Sequence, residues 1–286
     1  MNGKRVVITG GNTGIGKEAA VGVASAGAQV VITARNEERG RAARQEIADR
    51  SGSSSVEVMP LDLASFRSIR SFAADFLGRF DQLDVLVNNA GLIHRRRTET
   101  EDGFETTFGV NHLGHFLLTD LLLDRLRASA PARVVVVSSD AHKGARQGLD
   151  FDDLQSERRY RWGKAYSKSK LANIYFAREL ARRLDGSGVT ANALHPGFVR
   201  SEFGRGGDLG PVYGFGIRYV AGPFAISPEK GARTSIYLAS SPEVEGATGG
   251  YYYRCQAKKP SQQAQDDDAA RRLWGASEKL IASVPA

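Results

Sequence analysis

The chain has 286 residues, 41% hydrophobic and 25% charged; this is near the globular average and excludes a chain disordered throughout. Its length buries a core without disulfide staples, and a lone cysteine, Cys255, excludes both an internal disulfide and a cysteine-based zinc site. Thirty-nine basic against 32 acidic residues leave a charge of +7; with no groove-reading or base-stacking module beside it, the surplus suits a small anion such as a nucleotide phosphate and not nucleic acid.

Met1-Asn2-Gly3-Lys4-Arg5 runs directly into Val6-Val7-Ile8, an apolar run too short for a secretory signal. No apolar run approaches the ~20 residues of a transmembrane segment, so a cytoplasmic protein is expected. Strands are predicted over residues 6–9, 30–33, 56–59, 83–87, 133–137 and 189–194. Helices are predicted over 17–26, 37–49, 66–76, about 105–122, 166–184 and 231–239. The strands are almost continuously apolar, which implies burial on both faces. Their alternation with helices implies a doubly wound parallel sheet in one α/β domain spanning 1–286. Two long stretches, 140–163 and 200–228, follow strand carboxyl ends, where open α/β sheets hold ligands. Within the second, Pro211-Val212-Tyr213-Gly214-Phe215-Gly216-Ile217-Arg218-Tyr219-Val220 suits a lid over an apolar ligand. A packed surface helix or an oligomer contact suits it equally, and weak contact with a membrane surface less well.

The first strand leads into Thr9-Gly10-Gly11-Asn12-Thr13-Gly14-Ile15-Gly16 and then a helix. Gly10 can take the tight turn, Gly14 lets backbone approach a pyrophosphate, and Gly16 allows close packing. The helix start offers free N–H groups to the phosphates. At the end of the second strand, Thr33-Ala34-Arg35-Asn36 places no acid where an NAD enzyme carries one for the ribose hydroxyls. A guanidinium there pairs with a 2′-phosphate instead, so NADP(H) is the expected cofactor.

Tyr166-Ser167-Lys168-Ser169-Lys170 opens a predicted helix, with Tyr166 and Lys170 on one face. An ammonium beside a phenol favours the phenolate and is expected to lower its pKa, giving a general acid/base. Ser138-Ser139 ends the fifth strand, where a hydroxyl can bond a developing alkoxide. Asn88-Asn89-Ala90-Gly91 ends the fourth, and Asn111 lies in the helix after it. His112 and His115 have no evident ligand partners, so no metal is expected. Arg95-Arg96-Arg97 reads as a solvated charge run, and Asp266-Asp267-Asp268 as another that begins the last helix.

These motifs, with Pro196-Gly197, stand in the order of the short-chain dehydrogenase/reductase family, and the chain resembles its retinol-dehydrogenase-like branch. Supporting that branch are Asn111-His112-Leu113-Gly114-His115-Phe116, Ser138-Ser139-Asp140-Ala141-His142, Lys170-Leu171-Ala172-Asn173 and Ala270-Arg271-Arg272-Leu273-Trp274. The resemblance implies a Rossmann fold of about seven strands, ordered 3-2-1-4-5-6-7. It implies an oxidoreductase moving hydride between nicotinamide and an apolar ketone, aldehyde or alcohol, and it admits a homo-oligomer. In this pattern Tyr166 exchanges the proton and Lys170 binds the nicotinamide ribose. Ser139 orients the substrate oxygen and Asn111 holds a relay water. The dinucleotide contacts would be Gly10, Asn12, Thr13, Gly14, Ile15, Gly16, Arg35 and Asn36, with Asp62 and Leu63 at the adenine. Asn89, Ala90 and Gly91 lie along the adenosine side; Pro196, Gly197, Val199 and Ser201 lie at the nicotinamide. A specialised biosynthetic ketoreductase and a non-catalytic nucleotide sensor are the alternatives. The insert Glu157-Arg158-Arg159-Tyr160-Arg161-Trp162 is unusually basic for that branch.

Overall fold

The computed structural model describes residues 1–199 and 225–285. The strands are β1 (Arg5–Ile8), β2 (Gln29–Ala34), β3 (Val56–Pro60), β4 (Val85–Asn88), β5 (Ala132–Val137), β6 (Val189–Leu194), β7 (Tyr251–Tyr253) and β8 (Gln256–Ala257). They form one sheet in the order β3-β2-β1-β4-β5-β6-β7-β8. The first seven are parallel, and β8 folds back antiparallel on β7. The expected order is present, but the described residues form eight strands and not about seven. Three tyrosines and then two exposed residues are too short to show a period.

Among the described residues seven longer helices cover the sheet: α1 (Gly14–Ser25), α2 (Glu37–Ser51), α3 (Phe66–Arg79), α4 (Gly114–Ala128), α5 (Trp162–Arg183), α6 (Pro228–Ser240) and α7 (Asp267–Ala282). Successive strand side chains point to opposite faces and so feed two cores. Val7, Val31, Val134 and Val136 pack with Phe66, Leu117, Leu171 and Leu273 of α3, α4, α5 and α7. Val6, Ile8, Val30, Ile32, Val135 and Val137 pack with Val23, Ile47 and Leu238 of α1, α2 and α6. Burial at nearly every position of β1, β2, β4, β5 and β6 is what made these strands read as continuous apolar runs.

Two helices differ from the sequence expectation. The one expected over about 105–122 is broken into a turn at Thr106–Phe108, a π-helical turn at Gly109–Leu113, and α4. Helix α5 starts at Trp162, a full turn before Tyr166, with Arg161 at an N-cap that makes no side-chain bond. Without a capping residue the sequence carries no start signal there. By contrast Asp266 caps α7, accepting from the Ala269 N–H at 2.9 Å, with Asp267 and Asp268 in its first turn. No helix among the described residues is long and apolar enough to cross a membrane.

Candidate active site

The switch in strand order falls between β1 and β4, and the glycine turn leaves β1 at that point. Gly10 and Gly14 take positive φ, 62° and 52°, a region that suits glycine. At Gly16 a Cβ would lie 2.4 Å from the Gly10 carbonyl oxygen and 2.5 Å from Asn89 Nδ2. That close approach explains the third glycine. Asn89 donates from Nδ2 to the Thr9 carbonyl at 2.8 Å, and Thr9 Oγ1 accepts from the Asn89 and Ala90 N–H groups at 2.9 and 3.0 Å. Asn89 and Ala90 therefore pin the turn to the end of β4. Thr13, at the N-cap of α1, makes no side-chain cap bond, and no acid lies in the first turn. The N–H groups and positive pole of α1 are thus left for an anion, which fits a pyrophosphate over Asn12, Thr13, Gly14 and Ile15.

Arg35, at the end of β2, is exposed and makes no hydrogen bond or ion pair with another described residue. Asn36 beside it is the N-cap of α2, accepting from the Arg39 N–H at 2.8 Å, so its Oδ1 is already engaged. Beyond β3, Asp62 Oδ1 accepts from the Ala64 N–H at 3.0 Å. Leu63 is buried in the core, and its carbonyl lies 2.6 Å from where a Cβ on Gly114 would sit. Its side chain packs inward, which leaves Asp62 as the more open of the two. Past β6, Gly197 has φ 91°. Ile15 and Val199 both approach Gly231 of α6, so the glycine turn and the segment after β6 close over the same place. Ser201 and the core of the expected lid, 211–220, lie outside the described residues; of 200–228, only 225–228 are described.

The catalytic candidates converge beyond β4 and β5. Ser139 caps the short helix Asp140–Gly144, accepting from the Ala141 N–H at 3.1 Å, and its hydroxyl pairs with that of Tyr166. Ser138 instead turns into the core and donates to the Lys170 carbonyl at 2.6 Å. Lys170 is buried and donates from Nζ to the Val137 carbonyl at 3.1 Å, as does Asn173 Nδ2 at 3.2 Å. A Cβ on Gly91 would lie 3.3 Å from both Lys170 Nζ and Asn111 Oδ1. Asn111, fully buried in the π turn, accepts from the Leu92 N–H at 2.8 Å. It donates to the Leu92 carbonyl at 2.9 Å and to Ser169 Oγ at 3.0 Å. Its side chain is thereby committed to protein, and a relay water would have to use its backbone carbonyl.

Charge corrects one expectation. Lys170 Nζ sits 5.7 Å from the centroid of the Tyr166 ring. Burial pushes the phenol up to about 12, opposed by the bond from Ser139, so the net shift is opposite to the lowering expected beside an ammonium. Burial also brings Lys170 down to about 8. Desolvation outweighs the pair attraction because both groups are enclosed. Near neutrality Tyr166 is a phenol and Lys170 is still mostly an ammonium.

Sequence reasoning passed over Thr9 and His115. Thr9 Oγ1 and His115 Nε2 are 2.9 Å apart, and His115 Nδ1 is 3.2 Å from the Asn111 carbonyl. The imidazole bridges the glycine turn to the π turn, and burial holds its pKa down at about 4, so it bridges as a neutral ring. Its four-residue spacing from Asn111 was the available signal. His112 meets Ser277 Oγ at 2.8 Å.

The model of the family described as short chain dehydrogenase matches residues 4–150, which hold the glycine turn, Asn89, Asn111 and Ser139. The chain belongs to the short-chain dehydrogenase family. Human retinol dehydrogenase 12 is 49% identical to this short-chain dehydrogenase, over 98% of the chain and 87% of the human protein. Mouse retinol dehydrogenase 14 is 46% identical over 98% and 86% respectively. Among solved structures, an uncharacterized protein from Mycobacterium Paratuberculosis superposes with a TM-score of 0.77 at 34% identity, covering 98% of this chain and 94% of that one. The Pseudomonas aeruginosa RhlG/NADP active-site complex gives 0.70 at 28% identity, covering 88% and 94%. The short-chain dehydrogenase is accordingly an oxidoreductase with a retinol-dehydrogenase-like sequence.

Proposed function

We propose that the protein is an NADP(H)-dependent oxidoreductase acting on a medium-sized, largely apolar carbonyl or the corresponding alcohol. The observation that carries this is the meeting of Ser139, Tyr166, Lys170 and Asn111 beyond the carboxyl ends of β4 and β5. The uncapped start of α1, the close approach at Gly16 and an exposed Arg35 without a partner among the described residues fit a dinucleotide with a 2′-phosphate. Gly14, Ile15 and Gly16 would take the pyrophosphate, Arg35 the 2′-phosphate, and Lys170 the ribose beside the nicotinamide. When bound, the cofactor supplies the hydride. Tyr166, held as a phenol by its enclosure, gives its proton to the carbonyl oxygen, and Ser139 bonds the same oxygen as charge develops on it. The phenolate left behind is offset by the Lys170 ammonium. In the alcohol-oxidising direction the same groups act in reverse. Relatives named for retinol favour an apolar substrate with a primary alcohol or aldehyde.

The cofactor assignment is tested at Arg35. In Arg35→Asp the carboxylate repels the 2′-phosphate and suits free ribose hydroxyls. The ratio of kcat/KM with NADPH to that with NADH is expected to fall about a hundredfold. An unchanged ratio would refute the assignment.

A further inference from the structure

The basic insert that precedes α5 does not hang free. The Tyr160 hydroxyl donates to the His94 carbonyl at 2.6 Å, and Arg97 Nε donates to the Gln155 carbonyl at 3.1 Å. The insert is therefore tied to the Arg95-Arg96-Arg97 run that follows β4. Between the two lies a cleft of about 600 Å³, walled by Arg95, Tyr160, Arg161, Trp162 and Lys164. Gly144 and Ser167 also line it, and a Cβ on the glycine would come within 2.5 Å of the serine hydroxyl oxygen. Ser167 follows Tyr166, and Gly144 ends the helical turn that Ser139 caps, so two lining residues lead along the chain to the two side chains proposed to meet the reacting oxygen.

Two cations of this cleft, Arg161 and Lys164, find no side-chain partner among the described residues. Arg97 engages both Glu99, at 2.6 Å, and Glu157, at 3.9 Å. The Arg161 and Lys164 side chains are exposed and make no hydrogen bond or ion pair with a described residue; Arg161 is engaged through its backbone carbonyl, which accepts from the Ala165 N–H at 2.9 Å. No acid lies in the first turn of α5. A wholly apolar ligand lying here would strip water from a guanidinium and an ammonium and return nothing. An anionic ligand would instead gain charge-assisted hydrogen bonds from both, while its stem packs on the Tyr160 and Trp162 rings.

We propose that this cleft binds an anionic group, a carboxylate or a phosphate, carried by the substrate whose carbonyl is placed at Tyr166. The substrate is then an apolar chain with a carbonyl at one end and a negative charge at the other. The inference rests on the oxidoreductase reading above.

A matched pair of probes tests it: a medium-chain ω-oxo acid and its methyl ester, which differ only in the charge. The wild-type chain is expected to prefer the acid by about tenfold in kcat/KM, and the double variant Arg161→Ala/Lys164→Ala to lose that preference. Added salt should shrink it as well. Equal preference in the two proteins, or none in the wild type, overturns the assignment. Binding is read in parallel from the fluorescence of Trp162 in the cleft wall. If neither probe is turned over by a chain that binds NADPH, the oxidoreductase reading fails, and fluorescence still decides the cleft. Tighter binding of acid than ester that is lost in the variant upholds it, and equal binding overturns it. Vesicles rich in anionic phospholipid form the last arm. Sedimentation with them that is lost in the variant, without any acid preference, would assign the rim to a lipid surface and overturn the proposal.

Discussion

The Tyr166–Lys170 pair is where residue spacing and residue chemistry part company. Four-residue spacing on a helix is legible in the sequence; the degree of enclosure is not, because it depends on what Val137, Asn111 and Gly91 bring from distant positions. Enclosure decides the sign, raising the phenol and lowering the ammonium. The fall of Lys170 from 10.5 to about 8 corresponds to roughly 3 kcal/mol of destabilisation of the charged form. That cost is present in full below pH 8, shrinks as pH rises from 8, and is gone near 10.5, where the unfolded lysine also loses its proton. Lys170→Met removes the charge and leaves the Val137 carbonyl its second donor, Asn173. It is expected to raise stability by about 1–3 kcal/mol at pH 7 while cutting kcat at least a hundredfold. Thermal melts and initial rates on one preparation check this; a lower melting temperature would contradict it.

At the scale of elements, the glycine turn was visible as a pattern, and the structure supplies the contacts that require it. Gly16 meets the Gly10 backbone and an Asn89 amide that is itself tied to the Thr9 carbonyl, so little around it can give. Gly16→Ala is expected to cost about 2 kcal/mol in urea unfolding and to weaken NADPH binding at least tenfold, because the carbonyl of Gly10 must move. Wild-type affinity in that variant would show the turn to be more tolerant than the contacts imply. The π turn at Asn111 could not be read from its own sequence, since it is fixed by Leu92 and Ser169, far along the chain. Likewise β7 and the early start of α5 carry no local signal, being respectively too short and uncapped.

At the scale of the molecule, the parallel sheet followed from the hydrophobic pattern because its central strands are buried on both faces, whereas the strand order came from the family resemblance. What the pattern could not show is that the fold encloses imidazoles as neutral groups. Burial holds His112 down at about 3 and His115 and His195 at about 4, with His142 shifted the same way. The unfolded chain takes up these protons below about pH 6.5 and the folded chain does not. Stability is thus fully present above pH 6.5 and falls with acid by roughly 1.4 kcal/mol per pH unit for each such ring. Between pH 6.5 and 5, above the range of ordinary carboxylates, unfolding free energy should drop steeply. His112→Gln should reduce that slope by roughly a quarter to a third; a slope that His112→Gln leaves unchanged would contradict the burial argument. The account as a whole depends on the proton that Tyr166 holds at the carbonyl oxygen, and Tyr166→Phe removes that hydroxyl with little other change. Turnover of an apolar aldehyde with NADPH is expected to fall at least a thousandfold while NADPH affinity stays within a few fold. Near-wild-type turnover would contradict the assignment, and NADPH binding without turnover in the wild type would mark the chain as a nucleotide sensor.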